Sequence, residues 1–435
     1  MKYLSQPFTD EKNQVVFLSL GLFWVSNIGA LFKGSTLFSR LFIYPIYLLL
    51  FLIFIYLLFN IRKNKNNFDN NAYTFLWLLI ILGVVNVLRG IFQHSDTYEI
   101  RELLFGGTGA AIIWIMPLAL LYGLKKQFWF TWLPRLRAVV TIGFVYVLTV
   151  MLLGFFSRDI TVNKMYNSGD FLFISPLLLI FSIYKPNKIN IFIGCMGAIL
   201  LTAHMLLHEE RFAIAYIGLM CTLYLLLIIL EQIRLDLKIY VFFIGSILLL
   251  ASLLITLTTP FFQEQMHRYF IEGEMWVDSR KGQLMFTGTY SGALSEAVTA
   301  GMSVFEYIFG KGNYGTYAWG YMGWPPELFV RRVVEIGYLH IVLKGGYFML
   351  ASFYFLSIYA VYLGLFRSEN KITRYFAFII IARLIIMSTA MPPIVGFEYF
   401  MYWLVVGGCL SPQLRALDDS TIKNKCEIRP LVVRW

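Results

Sequence analysis

Four groups of charged residues in this sequence lie beside or within long apolar runs, and each has a composition suited to handling an anion. In His208-Glu209-Glu210-Arg211, Arg211 opens an apolar run. A guanidinium there can hold a phosphate through paired hydrogen bonds, or it can snorkel and cap a helix. Asp278-Ser279-Arg280-Lys281 offers two adjacent cations for an anionic ligand, or a solvated charge pair. Arg331-Arg332-Val333-Val334-Glu335 precedes another apolar run and supplies two cations with a carboxylate that can accept a proton; interfacial anchoring is the plainer reading. Arg89 and Arg383 lie inside apolar runs, and Arg383, in mid-run, is expected to face protein or a cavity and not lipid.

Histidines add little that is diagnostic. His204 and His208 are four residues apart and share a helix face, but no acid and third ligand stand at a metal-binding spacing. Past Glu335 come His340 and Lys344. At about 100° per residue, Glu335 and His340 fall on different faces of a helix, whereas His340 and Lys344 share one. Continuing that helix backwards puts Arg331 and Arg332 on the face of Glu335. The aromatic series Tyr314, Tyr317, Trp319, Tyr321 and Trp324 suits stacking on sugar rings, and suits an interfacial belt better.

The elements that must position these groups are membrane spans. Of 435 residues, 59% are hydrophobic and 14% charged; soluble domains run at about 45–50% apolar and about 25% charged. Apolar runs of about 18–22 residues recur, each long enough for the roughly 30 Å hydrocarbon core. They predict spans at 15–32, 41–61, 72–92, 105–123, 138–156, 170–184, 189–207, 212–230, 239–258, 337–363, 373–391 and 394–411. The fold class expected is an all-α polytopic membrane protein with about 12 transmembrane helices and a large helical loop between spans nine and ten. The divisions are 1–258 (spans one to nine), 259–336 (loop), 337–411 (spans ten to twelve) and 412–435 (basic cytoplasmic tail). The polar start, followed by a full-length span, predicts no cleavable signal peptide.

Lys and Arg fix the expected orientation. With the N-terminus in the cytoplasm, the short outer loops carry only Lys33, Arg40, Arg101, Arg158, Lys164 and Arg211, and the inner connections and tail carry more than three times as many. Both termini are therefore expected inside and the loop 259–336 outside. The net charge of +11 is this cytoplasmic excess and not a nucleic-acid footprint. Cys195, Cys221 and Cys409 lie in apolar runs and Cys426 in the tail, which argues against a disulfide framework or a zinc site. In the loop, Leu294, Val298, Met302, Phe305 and Phe309 recur at helical spacing, so 291–309 is predicted to be one amphipathic helix on the membrane or capping the bundle.

Three places resemble the O-antigen polymerase and O-antigen ligase superfamily of bacterial glycan assembly, as does the order of spans and loop. Arg211-Phe212-Ala213-Ile214-Ala215 is similar to the family's span-opening arginine followed by small and apolar residues. Arg280, the helix 291–309 and Phe309-Gly310-Lys311-Gly312 follow the family's loop order of arginine, amphipathic helix and Phe-Gly-x-Gly turn, with a longer arginine-to-turn spacing. Glu335-Ile336-Gly337-Tyr338-Leu339, running on to Gly346, resembles the family's entry to the next span. Glutamate stands where the family commonly has histidine, a residue expected in ligases.

The resemblance implies an inverting, metal-independent glycosyl transfer at the periplasmic face of the bacterial inner membrane. The donor would be an undecaprenyl-diphosphate-linked oligosaccharide. It implies catalytic roles for Glu335, Arg211 and Arg280, and substrate contacts from Arg331, Arg332, His340, Lys281 and Trp324, with no cofactor or metal. A chain-length regulator and a flippase are the protein partners such an enzyme would have, and no nucleic acid is expected. The alternatives are a ligase that transfers glycan to lipid A-core, and a transporter or flippase without chemistry. A transporter predicts cations through the bundle and symmetric halves. Here the outward charges concentrate at one end, and no internal repeat is visible.

Overall fold

The structure, a computed structural model, describes residues 70–93, 115–133, 289–318, 330–334, 336–387 and 397–425, with Leu48, Leu52, Ile55 and Thr141 besides. Among these residues the chain is mostly helical. The elements are α1 (Asn70–Gln93), α2 (Met116–Gly123), α3 (Lys126–Trp132), α4 (Thr289–Thr299), α5 (Val304–Phe309), β1 (Tyr317–Ala318), β2 (Val330–Arg331), α6 (Gly337–Phe366), α7 (Lys371–Met387), α8 (Phe397–Leu410), α9 (Pro412–Arg415) and α10 (Asp419–Lys425). Two stretches, Asn71–Arg89 in α1 and Gly337–Phe366, are long and apolar enough to cross a membrane. Both present large apolar side chains outward, among them Ile81, Val84 and Leu88 on α1 and Phe355, Ile358 and Tyr362 on α6. Such a surface suits lipid better than water.

The chain divides into two compact units. One contains α1–α3, α6 from Ala351 onward, α7 to Ile386, and α8–α10. Its centre is α8, whose residues pack without room for larger ones. A Cβ on Gly407 would lie 2.3 Å from the Leu120 carbonyl oxygen of α2, and one on Gly123 would lie 2.1 Å from the Leu404 carbonyl. The backbones of α2 and α8 thus touch directly, as small residues allow between apolar helices. On α7, Arg383 is buried close to the phenols of Tyr399 and Tyr402, so it faces protein, as its mid-run position requires.

Polar groups at the end of this unit are paired with care. Asn370 Nδ2 donates to the Leu414 and Leu417 carbonyls (2.8 and 3.0 Å). Its Oδ1 accepts from the Thr373 backbone N–H and hydroxyl, both at 2.9 Å. The Glu369 N–H reaches the Arg415 carbonyl at 2.9 Å, and the Lys371 N–H reaches Asp419 Oδ1 at 2.9 Å. The segment 412–425 is therefore folded against the turn that joins α6 to α7.

The other unit contains α4, α5, the two short strands and α6 up to Leu350. Leu294 and Val298 of α4 bury against Tyr317, Val334, Ile336, Leu339 and Leu343; burying each such aliphatic side chain contributes roughly 1.5–3 kcal/mol. The strands pair antiparallel, Tyr317 opposite Arg331 and Ala318 opposite Val330. The pairing ties 317–318 to 330–331, shortly ahead of α6.

Three expectations need correction here. The single helix 291–309 is two helices. Gly301 adopts φ +67°, and Ser303 then starts α5 with a capping box: its hydroxyl accepts from the Glu306 N–H and the Glu306 carboxylate accepts from the Ser303 N–H. Residues 331–334 do not continue α6 backwards. Arg331 is in a strand and Arg332 in no helix, so neither takes part in the helix face expected of them; Glu335 itself lies outside the described residues. The start of the aromatic series is not a belt. Tyr314 and Tyr317 are buried, Tyr317 in the cluster with Leu294 and Val298 of α4 and Leu339 and Leu343 of α6. The outward aromatics of this unit are Phe305 and Tyr307 of α5 and Tyr347 and Phe348 of α6. The Tyr307 ring stacks 6.3 Å from Tyr347, and Phe309 meets Phe348 edge-on at 6.1 Å.

Candidate functional site

The head of α6 is built around a break. Gly346 has φ 71° and ψ −176° inside an otherwise helical run, a combination essentially confined to glycine. The break frees the carbonyls of Leu343 and Lys344 from their own helix, and a buried carbonyl needs a donor. The turn after α5 provides both. Lys311 N–H donates to the Leu343 carbonyl at 2.8 Å and Gly312 N–H to the Lys344 carbonyl at 3.1 Å. The approach is close enough that a Cβ on Gly346 would lie 2.2 Å from the Ile308 carbonyl oxygen, and one on Gly310 would lie 2.4 Å from the Lys344 carbonyl carbon.

Lys344 projects from this break into the turn. It is fully buried, and its Nζ donates to the carbonyls of Asn313 (2.7 Å) and Gly315 (2.8 Å). A buried lysine is expensive unless its charge is met by oxygen, and these two carbonyls fold the turn over it. One helical turn earlier, His340 is also fully buried. Its Nδ1 accepts the Val334 N–H at 3.2 Å, so the neutral ring carries its proton on Nε2 and presents a donor there. That Nε2 has no partner among the described residues, and neither does the side-chain amide of Asn313, which is 7% exposed. At the rim, the exposed Arg332 guanidinium lies 5.1 Å from the centroid of the Tyr314 ring, within cation–π range. Arg332 is also close enough to Lys344 for their charges to act on each other.

Of the residues singled out from sequence, the structure brings His340 and Arg332 to this cluster and sets Arg331, half-buried, on β2 beside it. Glu335, Arg211, Arg280, Lys281 and Trp324 lie outside the described residues. Lys344 was legible only as the residue sharing a face with His340. Asn313 carried no signal, because its value comes from the turn that buries it.

Lys311, outside the helices, has its amine held below the ordinary lysine range, chiefly by partial burial and against the pull of Glu306. Among the described residues its ammonium reaches the Ala300 and Thr316 carbonyls, at 3.3 and 3.4 Å. It belongs to the outer wall of the turn and not to the buried cluster.

The chain matches no protein-family model, no curated protein and no solved structure.

Proposed function

We propose that this chain is a polymerase of lipid-linked oligosaccharide repeat units, building an O-antigen, capsule or exopolysaccharide. In this reading about twelve spans cross the bacterial inner membrane, both termini are cytoplasmic and 259–336 is periplasmic. The observation that carries it is the gathering of a turn from the extramembrane segment, two arginines, a histidine and a lysine at the head of an apolar helix. That is where a donor with a lipid tail, a diphosphate and a glycan would present its reacting bond. The Phe309-Gly310-Lys311-Gly312 motif supports the same reading, since its glycines are what let the turn dock on the broken helix.

The acceptor hydroxyl attacks the anomeric carbon of the donor glycan. A new C–O bond forms with inversion, the bond to the diphosphate oxygen breaks, and undecaprenyl diphosphate leaves. Glu335 is assigned as the base that takes the hydroxyl proton. The tautomer of His340 favours this assignment, because its Nδ1 is already occupied and its Nε2 offers a proton instead of accepting one. Arg211 and Arg280, with Arg331 or Arg332, are assigned to the negative charge growing on the leaving diphosphate; loss of one such contact typically costs about 10²–10³ in rate. Lys281, His340 and Trp324 are assigned to substrate contacts.

The test is to give purified protein a lipid-diphosphate-linked repeat unit with no other acceptor. A ladder of longer lipid-linked glycans is expected, and Glu335→Gln should abolish it while the protein stays folded. Transfer only when lipid A-core is added would mean a ligase. Passage of the lipid across vesicles without any new glycosidic bond would mean a transporter.

A further inference from the structure

We propose that Lys344, His340 and Asn313 form a binding site for an anionic oxygen, entered past Arg332. Lys344 uses two of its three N–H bonds on the carbonyls of Asn313 and Gly315. His340 presents an Nε2 donor without a partner, and Asn313 presents two amide N–H bonds and one carbonyl, also without partners. Donors outnumber acceptors, Asn313 adjoins Lys344 through its backbone carbonyl and His340 lies one helical turn before it, and both unpartnered side chains are more than nine-tenths buried. Unmet buried donors each cost about 1–3 kcal/mol, and a ligand that accepts from several of them recovers that loss. An anion bound here would hold the buried Lys344 in its charged form, and with Arg332 close enough to interact with Lys344, the cluster selects an anion over a neutral acceptor. Phosphate or diphosphate oxygen fits this set, from a lipid headgroup or from free solution. That the natural ligand is the donor's diphosphate rests on the polymerase reading; affinity for an anionic oxygen does not.

Asn313→Asp is the informative variant. Lys344 binds the backbone carbonyl at 313 and not the side chain, so this change leaves the turn's bonds in place and puts a tethered carboxylate among the donors. Full-length protein in detergent would be melted in inorganic pyrophosphate against chloride at matched ionic strength, and separately with a polyprenyl diphosphate in the micelles. Wild type should show a saturable rise in melting temperature with pyrophosphate. Asn313→Asp should lose that response, with affinity reduced roughly tenfold or more, the worth of one charge-assisted bond. Lys344→Met should lose it too. A response from the micellar lipid at much lower concentration identifies the headgroup as the ligand, and equal responses identify the free anion. No anion-specific rise in wild type, or a rise that Asn313→Asp retains, overturns the site. Because the readout is binding, a failed ladder assay with intact anion binding would sink the polymerase reading alone.

Discussion

Replacing Gly346 with alanine should open the turn over Lys344, and the size of the effect follows from the break in α6. Were α6 straight at this point, alanine would stabilise it by about 1 kcal/mol. With φ at +71°, the backbone strain alone is about 1–3 kcal/mol. The new Cβ would also stand 2.2 Å from the Ile308 carbonyl oxygen and 2.5 Å from Gly310 N, so the turn must lift. Lifting it breaks the bonds from Lys311 and Gly312 to the freed carbonyls, each worth about 1 kcal/mol. Those bonds are lost whenever the turn opens, in the wild type too, so what shifts the opening equilibrium is the strain and clash relieved, roughly 3 kcal/mol or about a hundredfold. Gly345→Ala is the control for crowding within α6, because the nearest atoms a Cβ there meets belong to the Met349 side chain and not to the turn. The assay is maleimide labelling of Asn313→Cys in a background without the four native cysteines. Position 313 is buried, and its side chain makes no bond that the cysteine would lose. Labelling should be slow in the parent and in Gly345→Ala, and about a hundredfold faster in Gly346→Ala. Equal or slower labelling in Gly346→Ala would refute the kinked helix and the docked turn together.

Other outcomes follow from the same structure. Lys344→Met, close in volume, should strand the Asn313 and Gly315 carbonyls and lower the melting temperature markedly; an unchanged melt would deny the lysine its role in holding the turn. Cysteine at the well-exposed Val304 (78%) should react with a membrane-impermeant reagent in intact cells, and cysteine at Asn424 only after permeabilisation; the reverse pattern would invert the proposed topology. Asp418 caps α10, its carboxylate accepting from Ser420 and the Thr421 N–H, and those bonds hold its pKa below the ordinary 3.8. Its contribution is therefore fully present above pH 3.8 and is lost as pH falls through the lower folded value. Faster proteolysis of 419–425 in that acid window, lost in Asp418→Asn, is the expected signature. Ser303→Ala should weaken α5 by about 1 kcal/mol through loss of its cap, read by hydrogen exchange at Glu306.

The helices that a single period defines were legible in the sequence, and those that depend on a distant partner were not. The run at 72–92 becomes α1 (Asn70–Gln93), and the run at 394–411 contains α8 (Phe397–Leu410), because length and apolar content decide both. The burial of Arg383 followed from the price of a charge in lipid. By contrast, Gly346 looked like an ordinary glycine in an apolar run; only the turn at 310–312, more than thirty residues earlier, makes it a break. The split of 291–309 was visible in Ser303 and Glu306, a capping-box spacing, but the apolar period across it was the stronger signal. Tyr314 and Tyr317 read as interfacial since aromatic content says nothing about which way a turn folds. In the candidate site, His340 and Lys344 could be paired from their spacing, whereas Asn313 joins them only through tertiary structure.

The clasp of Asn370 on Leu414 and Leu417 bears on how such a chain can be probed with reporter enzymes. A reporter joined after α7, ahead of residue 411, would remove the carbonyls that receive Asn370 Nδ2 and the Glu369 N–H, and the carboxylate that receives the Lys371 N–H. The α6–α7 turn would then carry donors with nothing to bind, and the shortened fusion would be open to cellular proteases. A weak signal from it would record the undone clasp, not the side of the membrane. A reporter joined beyond Lys425 keeps every one of these bonds, so fusions at that point and at shorter lengths are unequal probes of the same topology.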